Sequence, residues 1–385
     1  MLRLGELWLK GNNQKLFLRR LHRQLLTRLE RAVGRISLHS GRGRIFIDVK
    51  DASRIAVAAS ICADTPGITS VSPVLEVGAQ LEAIDRATLQ LARQCWSGRD
   101  IRFAVDARRT DTRFGLSSTE LNRRLGSIIQ SDLGLTVDLS KPDGIMGLEV
   151  DAQKARIWVQ VLPGVGGLPV GTAGQVLLLL SGGIDSPVAG FLSQKRGCHL
   201  EAVYFHSPPF ISDGSREKVL NLAQKLGRRQ GGMHVHVVHF TPIQKMIKQH
   251  CDQRFSVLLY RRFMYRIADR IATETQAKAI CTGENLAQVA SQTLENLRAV
   301  DEVTTHLTLR PLITYDKDEI VRLARRIGTF DLSVLPFDDC CTLFVPKNPI
   351  TKSRPEDVAA QEQLLNVELL VADAVDQREI IRVKE

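Results

Sequence analysis

The first 160 or so residues mix two hydrophobic periods. Phe17, Leu21, Leu25, Leu29 and Val33 recur at every fourth position and predict a helix over residues 14–33, closed by Gly34. Residues 36–39 and 44–49 alternate in the manner of strands around Gly41-Arg42-Gly43, which predicts a hairpin. A short strand is expected over 4–9. Helices are expected over 53–63, 80–95 and 117–134, the last opened by Ser117-Ser118-Thr119-Glu120. Gly67 to Pro73 turns into a strand, a further strand falls at 100–107, and a strand pair at 145–150 and 155–162 closes the series around Asp151-Ala152-Gln153. Helices packed on short mixed sheets describe α+β modules.

Residues 164–174 are rich in Gly and Pro and read as a linker. From 175 onward the pattern becomes regular. Apolar runs at 176–180, 200–205, 234–240, 277–282 and 307–312 alternate with helical runs at 187–196, 215–230, 242–250, 254–274 and 316–327. That alternation predicts a doubly wound parallel α/β domain with its ligand at the carboxyl ends of the strands. Asp316 with Glu319 forms a capping box, and Gly328 ends that helix.

Composition adds two constraints. The formal net charge is +10, and residues 1–54 alone carry 13 Lys and Arg against four acids. A basic excess confined to one end suggests a polyanion partner, with a solvated basic surface as the plain alternative. Arg19, Arg20 and Arg23 lie off the apolar stripe of 14–33, and Lys10, Arg42 and Arg44 sit in or beside basic loops. No apolar stretch approaches the roughly 18 residues of a membrane span. The seven cysteines are irregularly spaced and form no Cys/His zinc pattern, which fits free thiols in a reducing, cytoplasmic setting.

The densest chemistry follows the apolar run Val176–Leu180. Ser181-Gly182-Gly183-Ile184-Asp185-Ser186-Pro187 reads as a strand-to-helix turn, with Ser186 as N-cap and Pro187 at the first helical position. Its glycines and N–H groups favour a phosphate. No lysine follows closely, so this is not the Walker pattern. The segment resembles the SGGxDS signature of the PP-loop ATP pyrophosphatases (adenine nucleotide alpha hydrolase-like fold), which implies cleavage of ATP between its α- and β-phosphates. Asp185 could help place Mg²⁺ or brace the turn.

Two more segments extend the resemblance. Residues 106–129, followed by 141–151 and 155–174, look like a THUMP RNA-binding domain, which would place Arg108, Arg109, Arg113, Arg123 and Arg124 on or near an RNA-facing side. Thr282-Gly283-Glu284-Asn285-Leu286 and Gln288 to Leu297 resemble the TGE…GQVASQT…NL motif of the tRNA 4-thiouridine synthetases (tRNA sulfurtransferases, the ThiI family), with Ala287 where the family has glycine. The resemblance implies ATP contacts at Leu179, Leu180, Ser181, Gly182, Gly183, Ser186, Tyr204, Phe205, Arg261, Gly283 and Gln292. It also implies a persulfide-carrying cysteine at Cys340 or Cys341, in the segment Asp338-Asp339-Cys340-Cys341. Residues 342–385 contain no cysteine, so a short form without a rhodanese domain is expected.

The resulting expectation is an N-terminal ferredoxin-like domain at 1–54, a THUMP domain at 55–163, and a PP-loop domain at 175–385. Its activity would be adenylylation of O4 of a uridine, position 8 of tRNA in the family, followed by sulfur transfer. ATP and Mg²⁺ are the implied cofactors. A cysteine desulfurase, tRNA, a thiamine sulfur-carrier protein and a second copy of the chain are the implied partners. The competing readings are another PP-loop tRNA-modifying enzyme, of 2-thiolation or lysidine type, and a non-catalytic RNA-binding adaptor.

Overall fold

The computed structural model describes residues 1–41, 43–337 and 349–384. The chain divides into two compact units, Met1–Trp8 with Arg28–Gly166 and Leu9–Thr27 with Gly167–Glu385. The division falls inside the first helix.

The chain opens with strand β1 (Leu2–Leu4), a 3-10 turn (Glu6–Asn13) and helix α1 (Gln14–Val33). The strand expected at 4–9 is therefore shorter and earlier. Leu7 is fully buried while Leu9 is 84% exposed, a difference that an extended strand, placing both on one face, would not give. The hairpin β2 (Ile36–Gly41) and β3 (Arg44–Val49), α2 (Ile55–Ala63), β4 (Ile68–Val71) and β5 (Leu75–Gly78) follow. Next come α3 (Leu81–Trp96), β6 (Arg102–Arg109), α4 (Ser118–Leu133), β7 (Thr136–Val137), β8 (Gly144–Val150), β9 (Lys154–Trp158) and β10 (Leu162–Pro163).

Two five-stranded sheets result, ordered β10-β4-β1-β3-β2 and β5-β9-β8-β6-β7. The first is antiparallel throughout and draws in strands on both sides of residue 54. The second is mixed, with β6 parallel to β7 and β8. Helix α4 starts where the sequence says it should: Ser117 Oγ accepts from Glu120 N, and the Glu120 carboxylate accepts from Ser117 N. Phe103, Leu121, Leu125, Ile129, Met146 and Leu148 fill the core beneath it.

In the second unit, β11 (Gln175–Leu179) leads through the glycine turn into α5 (Asp185–Lys195), β12 (His199–His206), α6 (Asp213–Gly227) and β13 (Met233–His239). Helices α7 (Thr241–His250) and α8 (Ser256–Glu274) precede β14 (Ala279–Cys281), α9 (Leu294–Asp301), β15 (Leu307–Leu309), α10 (Lys317–Ile327) and the single turn α11 (Phe330–Ser333). Helices α12 (Pro355–Glu362) and α13 (Val367–Asp376) and strand β16 (Glu379–Val383) complete it. The sheet order is β15-β14-β11-β12-β13-β16, parallel except for β16, which lies antiparallel on β13.

The chain leaves β11 toward β12 and β13, then returns to the other side of β11 with β14 and β15. That reversal is the topological switch point, where the strand ends leave a crevice. Helix α8 is buried on most of its surface and seals one face through Leu259, Phe263, Ile267 and Ile271. The stretch 164–174 is ordered by backbone hydrogen bonds. Gly164 and Gly166 donate to β4 within the first unit, and Leu168, Gly171 and Ala173 donate to the α5–β12 turn within the second.

Candidate functional site: a nucleotide crevice at the switch point

Strands β11 and β14 are adjacent, with Leu178 opposite Cys281, so the turns that follow them, Ser181–Ser186 and Thr282–Glu284, emerge side by side. They pack closely. A Cβ added at Gly283 would sit 2.6 Å from Ser186 N and 2.8 Å from the Asp185 carbonyl carbon. The motif glycine is thus required by the approach of one loop to the other loop's backbone, a different reason from the approach to a ligand.

Inside the first turn, Ser181 N donates to Ser186 Oγ at 2.9 Å and Gly183 N to Ser181 Oγ at 3.2 Å. Helix α5 begins at Asp185, two residues earlier than the sequence suggests. Ser186 does not cap it, because its hydroxyl closes the turn back onto Ser181.

A crevice of about 330 Å³ opens here. It is lined by Leu179, Leu180, Ser181, Gly183, Ser186, Tyr204, Phe205, Arg261, Gly283 and Gln292, together with Asp185. Gly182 is buried within the turn itself. The lining combines apolar side chains, Leu180, Tyr204, Phe205, Val257 and Met264, with the serines, Arg261 and the turn backbone. An amphiphilic cavity of this kind suits a purine joined to phosphates. A larger cavity, about 460 Å³, lies in the first unit among His39, Asp48, Cys62 and Arg156 and carries no phosphate turn.

Three features in the crevice or among the residues bonded to and flanking its lining escape sequence reading. The first is Lys317, at the start of α10, whose Nζ stands 2.6 Å from Asp185 Oδ1. Gln288 Nε2 donates to Asp185 Oδ2 at 2.9 Å. A lysine in the first turn of a helix opposes the helix dipole, so its place there asks for another reason. The second is a buried polar group behind Arg261. Glu284, 4% exposed, holds Arg261 on Oε1 and accepts from Tyr265 Oη at 2.9 Å and Arg310 Nε at 2.5 Å on Oε2. Burial pushes the Tyr265 phenol up, which keeps it a neutral donor. Burial works against the Arg310 charge, but bonds to Asp301 and Tyr265 outweigh it, and its pKa rises. The third is Ala287, which sits at φ +60°, in the left-handed region, at the position where the motif has glycine.

The described residues offer no ready-made metal site. Among them no group of three or more His, Cys, Asp or Glu could hold an ion, and Asp185 is already engaged on both oxygens. They do not fit a Mg²⁺ held by the protein alone.

The cysteines divide. Burial pushes Cys62 and Cys281 up to about 12 and raises Cys198 and Cys251 as well, so none of these four is a ready thiolate. Cys340 and Cys341 lie outside the described residues, as does Arg42.

The expected RNA-facing residues are spread. Lys10 falls in the Glu6–Asn13 turn. Arg19, Arg23 and Arg123 are exposed. Arg20 donates to Val170 O at 3.2 Å and rests against Gly171. Arg44 pairs with buried Glu149, Arg108 with Asp106, Arg113 with Asp111 and Arg124 with Asp85, while Arg109 donates to Phe114 O. Most of these exposed pairs leave guanidinium donors for a phosphate, since such bridges are weak in water.

Comparison with known proteins decides the lineage. Residues 171–367 match the family described as "Thiamine biosynthesis protein (ThiI)", residues 1–72 the "ThiI ferredoxin-like domain" and residues 78–160 the "THUMP domain". The chain belongs to the ThiI family. It is 42% identical to a "Probable tRNA sulfurtransferase" of Brevibacillus brevis, over 99% of this chain and 95% of that one. It is also 42% identical to the protein of the same name from Moorella thermoacetica, over 100% and 97%. Among solved structures, a 4-thiouridine synthetase–RNA complex with bound ATP superposes with a TM-score of 0.89 at 36% identity, covering 100% of this chain and 98% of that one. The ferredoxin-like, THUMP and PP-loop organisation of the ThiI family is therefore the fold of this chain. No helix among the described residues is long and apolar enough to cross a membrane.

Proposed function

We propose that this ThiI-family chain is an ATP-dependent tRNA uracil 4-sulfurtransferase that forms 4-thiouridine, at position 8 of tRNA. The observation that carries the reading is the crevice at the switch point. It sets an apolar wall for adenine beside a lysine-neutralised phosphate turn, in a family whose named relatives are tRNA sulfurtransferases.

Adenine packs against Leu180, Tyr204 and Phe205, and the phosphates run toward Ser181–Ser186 and Arg261. O4 of the uridine attacks the α-phosphorus and pyrophosphate leaves. Lys317 stands at the mouth of the turn, where negative charge accumulates in that step, and Asp185 orients it. A positive group aimed at developing charge accounts for a lysine at an otherwise unfavourable helix end. Any Mg²⁺ would arrive with the nucleotide, and no step here depends on it.

The terminal sulfur of a persulfide on Cys340 or Cys341 then attacks C4 and AMP leaves. The neighbouring thiol releases the 4-thiouridine, leaving a Cys–Cys disulfide for an external thiol to reduce. The four buried cysteines described above are unsuited to this role. A cysteine desulfurase supplies the sulfur, and the N-terminal basic modules hold the tRNA. The family description favours a second use of the same persulfide, sulfur transfer to a thiamine carrier protein. We further propose a cytoplasmic homodimer.

The test is thiolation of unmodified tRNA by purified protein with ATP, cysteine and a cysteine desulfurase, read by near-ultraviolet absorbance of 4-thiouridine. Modification at C2 of uridine, or at cytidine, would favour another PP-loop activity. Pyrophosphate release that tRNA does not stimulate would favour the adaptor.

A further inference from the structure

Among the described residues, Arg261 is the one arginine lining the crevice, and it is not alone. Glu284 Oε1 holds it, and its Nη1 donates to Ser291 O at 3.1 Å and Ser291 Oγ at 3.0 Å. On the far side of Glu284, away from the lining, Arg310 Nε meets Oε2 at 2.5 Å. The other two Arg310 nitrogens grip Asp301, with Nη1 2.9 Å from Oδ2. Tyr265 Oη closes the group, donating to Glu284 and accepting from Arg310 Nη2 at 3.3 Å.

The order of charges matters. A buried carboxylate paired with Arg261 alone would cancel the charge that a polyphosphate needs. Arg310 is partly buried next to Glu284, with 14% of its side chain exposed, whereas Asp301, 42% exposed, is screened by water. At the crevice the group therefore presents a positive end. We propose that Arg310 is a positioning residue for nucleotide binding: by neutralising Glu284 from behind, it fixes the Arg261 guanidinium and leaves its charge available to the phosphates of ATP. The inference rests on the reading of the crevice as an ATP site.

The experiment compares equilibrium binding of ATP and of adenosine to the full-length protein without tRNA. Arg310→Met keeps length and burial but removes the charge. It weakens ATP about tenfold and leaves adenosine within twofold, because the purine wall is untouched. Arg310→Lys recovers at least part of the ATP affinity. Asp301→Asn removes the outer anion and leaves ATP affinity unchanged or tighter. Asp301→Asn also keeps the test alive if Arg310→Met fails to fold. Equal loss of ATP and adenosine in Arg310→Met, no loss of either, or a tenfold weaker ATP complex in Asp301→Asn would each overturn the proposal. Wild-type protein that bound adenosine and ATP equally poorly would overturn the crevice reading, and this inference with it.

Discussion

Replacing Gly283 by alanine adds one methyl group where two loops touch. That methyl would lie 2.6 Å from Ser186 N and 2.8 Å from both Asp185 C and Ser186 Cα. All three neighbours are backbone atoms, so no side chain can rotate away. The Thr282–Glu284 turn is held at the end of β14 by Thr282 N to Leu309 O, and the phosphate turn is tied by Leu180 N to Val203 O and by Ser333 Oγ to Gly183 O. Relief requires one loop to move by several tenths of an ångström. Overpacking of this kind costs about 1–3 kcal/mol. Part of the cost falls on stability and part on the phosphate-binding geometry. For a chain of this size we expect Tm to fall by a few degrees. The KM for ATP should rise by about tenfold or more, with tRNA affinity unchanged. Calorimetry and tRNA-dependent pyrophosphate release measure the two effects. A Gly283→Ala protein with wild-type Tm and wild-type KM for ATP would refute the packing argument.

Three other outcomes follow from the same geometry. Ala287→Gly relieves a left-handed alanine. The relief of about 1–2 kcal/mol exceeds the extra unfolded-state freedom of glycine, about 0.4–1 kcal/mol, so a small rise in Tm is expected and a fall contradicts it. Lys317→Met should cut the rate of pyrophosphate release by about a hundredfold or more while leaving ATP affinity within a few-fold; unchanged turnover would remove Lys317 from the mechanism. Burial opposes the charge of Asp269, but bonds from Thr304, Thr305 and His306 hold its carboxyl below the usual range. Its contribution to stability is full above about pH 4 and is lost as pH falls through the lowered folded value. Denaturant titrations of Asp269→Asn between pH 2 and 6 should accordingly show less acid sensitivity than wild type.

Local features were legible in the sequence because their physics is local. The Leu21–Leu25–Leu29 stripe is buried on α1, and the capping boxes at Ser117/Glu120 and Asp316/Glu319 both form. The alternation of apolar runs and helices gave the parallel sheet, and the resemblance gathered ten of its eleven ATP positions around one crevice, with Gly182 buried in the turn beside it. What stayed hidden depends on three-dimensional return of the chain. Lys317 reaches Asp185 across 132 positions, and no motif spacing announces it. Strand β16 pairs with β13 from the far end of the chain, where its short apolar run has no turn partner. Ser186 carries an N-cap residue type, yet its hydroxyl is used inside the turn. Ala287 reads as a conservative replacement for glycine, and only its backbone angle shows why glycine is the family's residue there.

The central claim is that one chain couples ATP activation at the switch-point crevice to sulfur delivery from Cys340 or Cys341. Parallel measurement of tRNA-dependent pyrophosphate release and of 4-thiouridine formation in the Cys340→Ser/Cys341→Ser double variant tests it most directly. The account predicts pyrophosphate release close to wild type and no 4-thiouridine. Undiminished 4-thiouridine formation in the double variant would contradict it.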